Sequence, residues 1–343
     1  MRKLVLTFIG LLFCGTLASS AYIAVKAVTF LRVPPETPGQ EIFITVEPGA
    51  TFYEVAEDLH AKGLIRNVQY FRLLARWKKA LGSIQAGEFS LNTGWLPQRI
   101  LETLVSGQPI LYKLAIREGL TWWETAKIVE EAGYADVEDF ARVIRDKDLL
   151  ARHKVPFDTA EGFLFPETYL LKRPGKKDAR PIVELLLKTF WERAAKVWDK
   201  GEVNATELGR TVILASMVEK ETGVASERPR VAGVYVARLA RNMLMQCDPT
   251  VIYGLGTAFD GNLTQKHLQD AANPYNTYRR AGLPPGPICS PGLASLKAAA
   301  LPEVHDYLYF VSRNDGTHYF SKNLAEHNRA VREYQLSPRR KRP

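Results

Sequence analysis

The chain has 343 residues, 46% of them apolar and 24% charged, with a net charge of +9. That balance excludes a disordered chain and leaves room for two domains with cores of their own. Three cysteines are too few for a disulfide scaffold, and the basic residues are scattered without interleaved aromatics, so no nucleic-acid partner is expected.

The first element is a run of 22 uncharged residues, 4–25, preceded by Arg2 and Lys3. It is long enough to cross a bilayer. A cleaved signal peptide would need a better cleavage site than Ser19-Ser20-Ala21, and a lipoprotein signal ending at Cys14 would place bulky Phe13 where a small residue is favoured. The run also exceeds the usual apolar stretch of a signal peptide, so a retained single span is expected, with the chain's N-terminus inside and its body outside. No later stretch is long and apolar enough for a second span.

Residues 33–40, VPPETPGQ, read as a linker. An alternating strand follows at residue 44, then Pro48-Gly49, then Thr51 as N-cap of an amphipathic helix through Val55 and Leu59 that stops at Gly63. The same phrase returns 70 residues on, with Gly119, Thr121 and Gly133 standing for Gly49, Thr51 and Gly63. This is a weak repeat of a strand–turn–helix unit, too sparse for a solenoid. Between the copies, residues 86–90 read as a strand and 96–106 as a helix. Trp122 and Trp123 suit either a core or a sugar-binding face. Residues 135–152 read as charged and helical, 161–169 (EGFLFPETY) as a strand-like run stopped at Pro166, and 181–197 as a further helix.

Residues 213–228, ILASMVEKETGVASER, set two acids in an otherwise apolar stretch. Asn204 and Glu207 make a plausible capping box for a helix leading into it. On a helix, positions two apart point about 200° apart, so Glu219 and Glu221 cannot both enter one cleft. Glu221 shares a stripe with Leu214 and Val218, where desolvation would keep its carboxyl protonated. A carboxyl protonated near neutral pH is what a general acid requires. The bland alternative is a surface Glu paired with Lys220 or Arg228.

Beyond this helix the loops crowd amides, hydroxyls and aromatics: Gln246 and Asp248 before Pro249, then Asn276 and Tyr278, then GLPPG at 282–286. Such groups suit a carbohydrate polymer, although turns use the same residues. Residues 307–311 and 317–320 read as a hairpin about Asn314-Asp315-Gly316, and 324–334 as a closing helix with His327. Cys247 and Cys289 have no CxxC partner and no His at metal-ligand spacing; two free thiols and one disulfide both remain open. No metal or cofactor is implied.

EKETGVASER (219–228), DPTVIYG (248–254), YNTY (275–278), GLPPG (282–286), PGLASLKAAA (291–300), YLYFV (307–311) and HYFSKNLAEHN (318–328) together resemble the endolytic murein transglycosylases, or YceG-like family. The resemblance implies an α+β protein of the inner membrane: residues 1–30 a cytoplasmic stub and single transmembrane helix, 31–41 a linker, 42–110 a LysM-like subdomain, 111–335 a mixed α+β catalytic domain with a lysozyme-like catalytic helix, and 336–343 a basic tail. It implies a periplasmic body that cuts nascent peptidoglycan glycan strands between MurNAc and GlcNAc, leaves 1,6-anhydro-MurNAc ends, and works near the peptidoglycan polymerases. The family's catalytic acid falls on Glu221, followed by Thr222. Gly223 after Thr222 is a mild departure from the family's pattern, and Cys247 and Cys289 look particular to this chain. Glu167, Gln246, Asp248, Asn276 and Tyr278 are candidates to bind glycan or orient Glu221. Two rivals remain: a water-using muramidase with Glu167 or Asp248 as base, and a non-catalytic, membrane-anchored peptidoglycan-binding protein.

Overall fold

The computed structural model describes residues 2–198 and 203–336, with side chains from Phe13 onward. The basic tail, with Arg339 to Arg342, lies outside the described residues. The chain divides into two units, Met1–Tyr112 with Leu170–Gly175, and Lys113–Tyr169 with Lys176–Pro343. The first change of unit falls after Tyr112. The return of Leu170–Gly175 to the first unit has no signal in the sequence pattern.

Unit 1 opens with helix α1, Arg2–Arg32, whose window Phe13–Arg32 is apolar and long enough to cross a membrane. The helix runs past residue 25 because Lys26 and Arg32 carry charge without breaking helical geometry. Phe30, near its end, is buried in the core of unit 1 and meets Tyr70 with ring centroids 5.7 Å apart. Then follow β1 (Glu41–Val46), α2 (Phe52–Ala61), α3 (Val68–Trp77), β2 (Gly87–Asn92) and α4 (Pro97–Ser106). β1 and β2 pair antiparallel, Ile44 opposite Phe89 and Val46 opposite Gly87. Alternation sends Ile44, Val46, Phe89 and Leu91 to one face, where Leu59, Phe71, Ile100 and Leu104 cover them. Thr51 caps α2 in a full capping box, as its spacing from Glu54 predicts.

Unit 2 is mostly helical. β3 (Tyr112–Ala115) and β4 (Thr168–Leu171) make a two-stranded sheet; two of the chain's three changes of unit fall within these strands, and the third falls after Gly175. Helices α5 (Trp122–Glu131), α6 (Val137–Val143) and α7 (Lys147–Arg152) follow β3, and α8 (Ala179–Ala194) follows β4. Thr121 repeats the capping box of Thr51, and Gly119 and Gly133 repeat the positive φ of Gly49 and Gly63. The helical run expected over 135–152 forms as two helices, because Asp146 turns its carboxylate onto the N–H groups of Asp148 and Leu149 and starts α7. The run 161–167 is a buried loop rather than a strand: Gly162 adopts φ +83°, and Phe163, Leu164 and Phe165 are all buried. A strand needs one polar face or a partner on each side, and this segment has neither.

The centre of unit 2 is α9, Ala205–Glu221, capped by Asn204 Oδ1 on the N–H of Glu207 at 2.9 Å. Every residue from Leu208 to Val218 except Arg210 is buried. A helix apolar on all sides must be enclosed by its neighbours. They are α10 (Arg228–Ala240), α11 (Asp248–Leu255) and α13 (Leu293–Ala300), with the short α12 (Gln265–Gln269) between the last two in sequence. The hairpin β5 (Tyr309–Ser312) and β6 (His318–Ser321) follows, then α14 (Leu324–Val331), which ends in a π-type turn over Arg332–Leu336.

Candidate active site

Glu221 is the last residue of α9; Thr222 is extended and ends the helix. Its side chain lines a cleft of about 490 Å³ in unit 2. α10 contributes Tyr235 and Arg238 to the walls, the segment before α11 contributes Met245 and Gln246, α11 contributes its first residue, Asp248, the loop after α12 contributes Tyr278, β5 contributes Tyr309 to Val311, and α14 contributes His327 and Asn328. Burial pushes the Glu221 carboxyl above its ordinary range, and the nearby charge of Asp248 adds to this. The carbonyl end of α9 acts the same way on a carboxylate. Two donors act against the rise: Cys247, whose thiol adjoins the carboxyl, and Tyr235, whose hydroxyl donates to Oε1 at 2.8 Å.

Glu219 points elsewhere. It is almost fully buried, pairs with Arg228 at 3.2 Å, and accepts the N–H of Gly292 at 2.9 Å where α13 begins. The alternative of an ion pair with Arg228 therefore applies to Glu219, not to Glu221.

Gln246, Asp248 and Tyr278 meet in the cleft because two loops are tied together. The N–H of Gln246 donates to the carbonyl of Thr277 at 3.2 Å, that of Cys247 to Thr277 Oγ1 at 3.0 Å, and the Thr250 and Thr277 hydroxyls lie 2.8 Å apart. Gln246 is held at φ +49°, a left-handed backbone that few non-glycine residues adopt and that clusters at functional sites. Tyr278 donates its hydroxyl to Asp248 Oδ1 at 2.6 Å.

Asn276 and Glu167 are not among the cleft residues. Asn276 is fully buried; its amide donates to the carbonyls of His267, Leu268 and Asp270, and its oxygen accepts the N–H of Tyr278 at 3.0 Å. It braces the turn that carries Tyr278. Glu167 is held by Arg193, Nε to Oε2 at 3.0 Å and Nη2 to Oε1 at 2.5 Å.

Three features escape the sequence reading. Tyr235 reaches Glu221 only because α10 packs on α9, and nothing in a helix of mixed residues marks it out. Arg238, buried, spends its guanidinium on the carbonyls of Leu308 and Met245 at 2.7 and 2.6 Å and so joins the hairpin to the Gln246 loop. Glu227 accepts both the N–H and Nδ1 of His318, at 2.9 and 2.7 Å; burial would raise its carboxyl, but these bonds hold it below its ordinary range. Another buried acid that escapes the sequence reading, Glu161, lies apart from the cleft and beside a smaller cavity of about 310 Å³ with Phe157 and Tyr275. Desolvation raises it to about 7, against donation from the N–H of Trp122 and from Tyr253. Cys247 and Cys289 are both buried free thiols.

The fold and sequence have named relatives. A YceG-like protein of Listeria monocytogenes, solved by crystallography, superposes with a TM-score of 0.56 at 29% identity, over 85% of this chain and 99% of that one. The endolytic murein transglycosylase of Bacillus subtilis strain 168 is 30% identical over 314 residues, 87% of this chain and 86% of that protein. The endolytic murein transglycosylase of Streptococcus pneumoniae serotype 2 strain D39 is 24% identical over 97% of this chain, which spans 65% of that longer protein. The profile of the YceG-like family matches residues 44–333, and the chain belongs to that family.

Proposed function

We propose that this protein is an endolytic murein transglycosylase, cutting peptidoglycan glycan strands between MurNAc and GlcNAc with Glu221 as its single acid–base group. The observation that carries the reading is a desolvated carboxyl, pushed toward its protonated form, on the wall of a cleft rich in hydroxyl, amide and aromatic groups. The names of the relatives support the same reaction. Glu221 protonates the glycosidic oxygen as the C1–O bond breaks. The resulting carboxylate then takes the proton of the MurNAc 6-hydroxyl as that oxygen closes on C1, so one group serves both steps and the product end is 1,6-anhydro-MurNAc. An intramolecular hydroxyl has a high effective molarity and needs no activated water. Gln246, Asp248 and Tyr278 bind the glycan or orient it, while Asn276 and Glu167 support the scaffold.

We assign α1 as the anchor that keeps a periplasmic body close to newly made strands and their polymerases, and unit 1 as a LysM-like glycan-binding module. Its strand–helix–helix–strand order around one antiparallel pair supports that assignment.

Asp248, a second carboxylate in the same cleft, keeps the muramidase reading alive as the alternative. Its Oδ1 already accepts the Tyr278 hydroxyl, which weakens it as a base. Digestion in heavy-oxygen water separates the two: anhydro ends carry no label, whereas hydrolysis puts one labelled atom on the new anomeric carbon. Predominantly labelled ends sink the transglycosylase reading, and a Glu221→Gln variant that still cuts sinks the assignment of Glu221.

A further inference from the structure

We propose that Tyr235 and Cys247 are positioning residues for Glu221: the tyrosine fixes which carboxyl oxygen carries the transferable proton, and the two together hold the carboxylate once that proton has gone. The inference rests on Glu221 being the acid–base group.

Tyr235 and Cys247 come from different elements, α10 and the segment before α11, and each is only 1% exposed. Burying a hydroxyl and a thiol against one carboxyl is costly unless they are used. The Tyr235 hydroxyl donates to Oε1 at 2.8 Å, and the Cys247 thiol adjoins both the carboxyl and that hydroxyl. A donor on one oxygen favours that oxygen as the carbonyl of a protonated carboxyl, so Tyr235 on Oε1 favours the acid proton on Oε2. Desolvation pushes both Tyr235 and Cys247 well above their ordinary ranges, so each keeps its own proton and donates throughout the cycle. That supply matters most after proton transfer, when a bare carboxylate is left in a dry cleft.

The other groups facing Glu221 divide by sign. Asp248 of α11 disfavours the carboxylate, and His318 of β6 favours it. Arg238 of α10, Tyr278, Tyr309 of β5 and His327 of α14 complete the titratable and charged lining among the described residues. Of the groups facing Glu221, Tyr235 holds its carboxyl by a hydrogen bond of 2.8 Å.

The test uses the full-length protein in detergent on purified glycan strands, with pH–rate profiles for the parent, Tyr235→Phe, Cys247→Ala, Cys247→Ser and Glu221→Gln. Loss of the hydroxyl should lower kcat by about tenfold with KM little changed. It should also move the limb that reports loss of the protonated acid to higher pH, since the carboxylate has lost a donor. Cys247→Ala should move the limb the same way, and Cys247→Ser, which keeps a donor, should restore it. A lower kcat with an unmoved limb overturns the proposal, as does parent behaviour in both Tyr235→Phe and Cys247→Ala. If Tyr235→Phe does not fold, Cys247→Ala against Cys247→Ser decides. An active Glu221→Gln variant is a separate failure, of the acid–base assignment itself.

Discussion

Glu219 and Arg228 form an ion pair 3.2 Å long between two nearly buried side chains, two residues and roughly 200° around α9 from Glu221. The helix thus divides its acids between structure and cleft. Removing one partner of a buried pair leaves the other charge without compensation, at a cost of about 3 kcal/mol. Glu219→Gln should therefore lower the melting temperature while each folded molecule keeps most of its rate. Glu221→Gln should do the reverse, losing two or more orders of magnitude in kcat, as loss of general acid help typically costs, with little change in melting. Melting curves and single-turnover rates on the same two preparations check the pair; equal rate losses would undo the argument from facing.

Asp248 acts on Glu221 through charge, in the direction opposite to Tyr235. Its carboxylate raises the Glu221 carboxyl, so Asp248→Asn should move the limb that reports loss of the protonated acid to lower pH. Tyr278→Phe, which frees Asp248 of the 2.6 Å bond, should weaken glycan binding more than it slows the bond-breaking step. Opposite shifts in Asp248→Asn and Tyr235→Phe are the diagnostic result. A limb moved upward in Asp248→Asn would contradict the charge argument.

Local rules were legible in the sequence where one residue's chemistry answers to its near neighbours. Thr51, Thr121 and Asn204 all cap as their spacing requires, and Glu221 faces as its stripe requires. Asn276 shows the limit: a buried amide that braces a turn and an exposed one that binds sugar have the same letter and the same loop around them. Glu167 lies outside the cleft lining, held by Arg193 from 26 residues away on α8, a pairing that local pattern does not show. Tyr235 and Glu161 depend on which elements pack together, and helix packing is fixed by long-range fit rather than by local pattern.

The end of α1 also belongs to unit 1, through Phe30. A truncated protein that begins at Lys26 should leave the membrane and keep a folded unit 1, whereas one that begins at Val33 loses Phe30 from the core. Deleting a buried Phe side chain costs about 3 kcal/mol or more. The shorter protein should therefore melt earlier in unit 1, seen by hydrogen exchange at Phe71 and Leu59. Equal protection in both truncations would mean Phe30 packs without stabilising.

Glu161 makes stability depend on pH. Its carboxyl rises from 4.5 to about 7 on folding, so the native state binds its proton more tightly than the unfolded chain. The contribution is complete below about pH 4.5, and it is lost as pH climbs through 7, when a buried carboxylate must form beside Trp122 and Tyr253. Glu161→Gln cannot ionise. Whatever its cost at pH 5, its melting temperature should gain on the parent's by several degrees between pH 5 and pH 8, at roughly 2–4 °C per kcal/mol for a body of this size. Cleavage by Glu161→Gln should persist, because this acid lies outside the cleft that holds Glu221. A constant difference in melting temperature across that range would show that Glu161 does not change its proton affinity on folding.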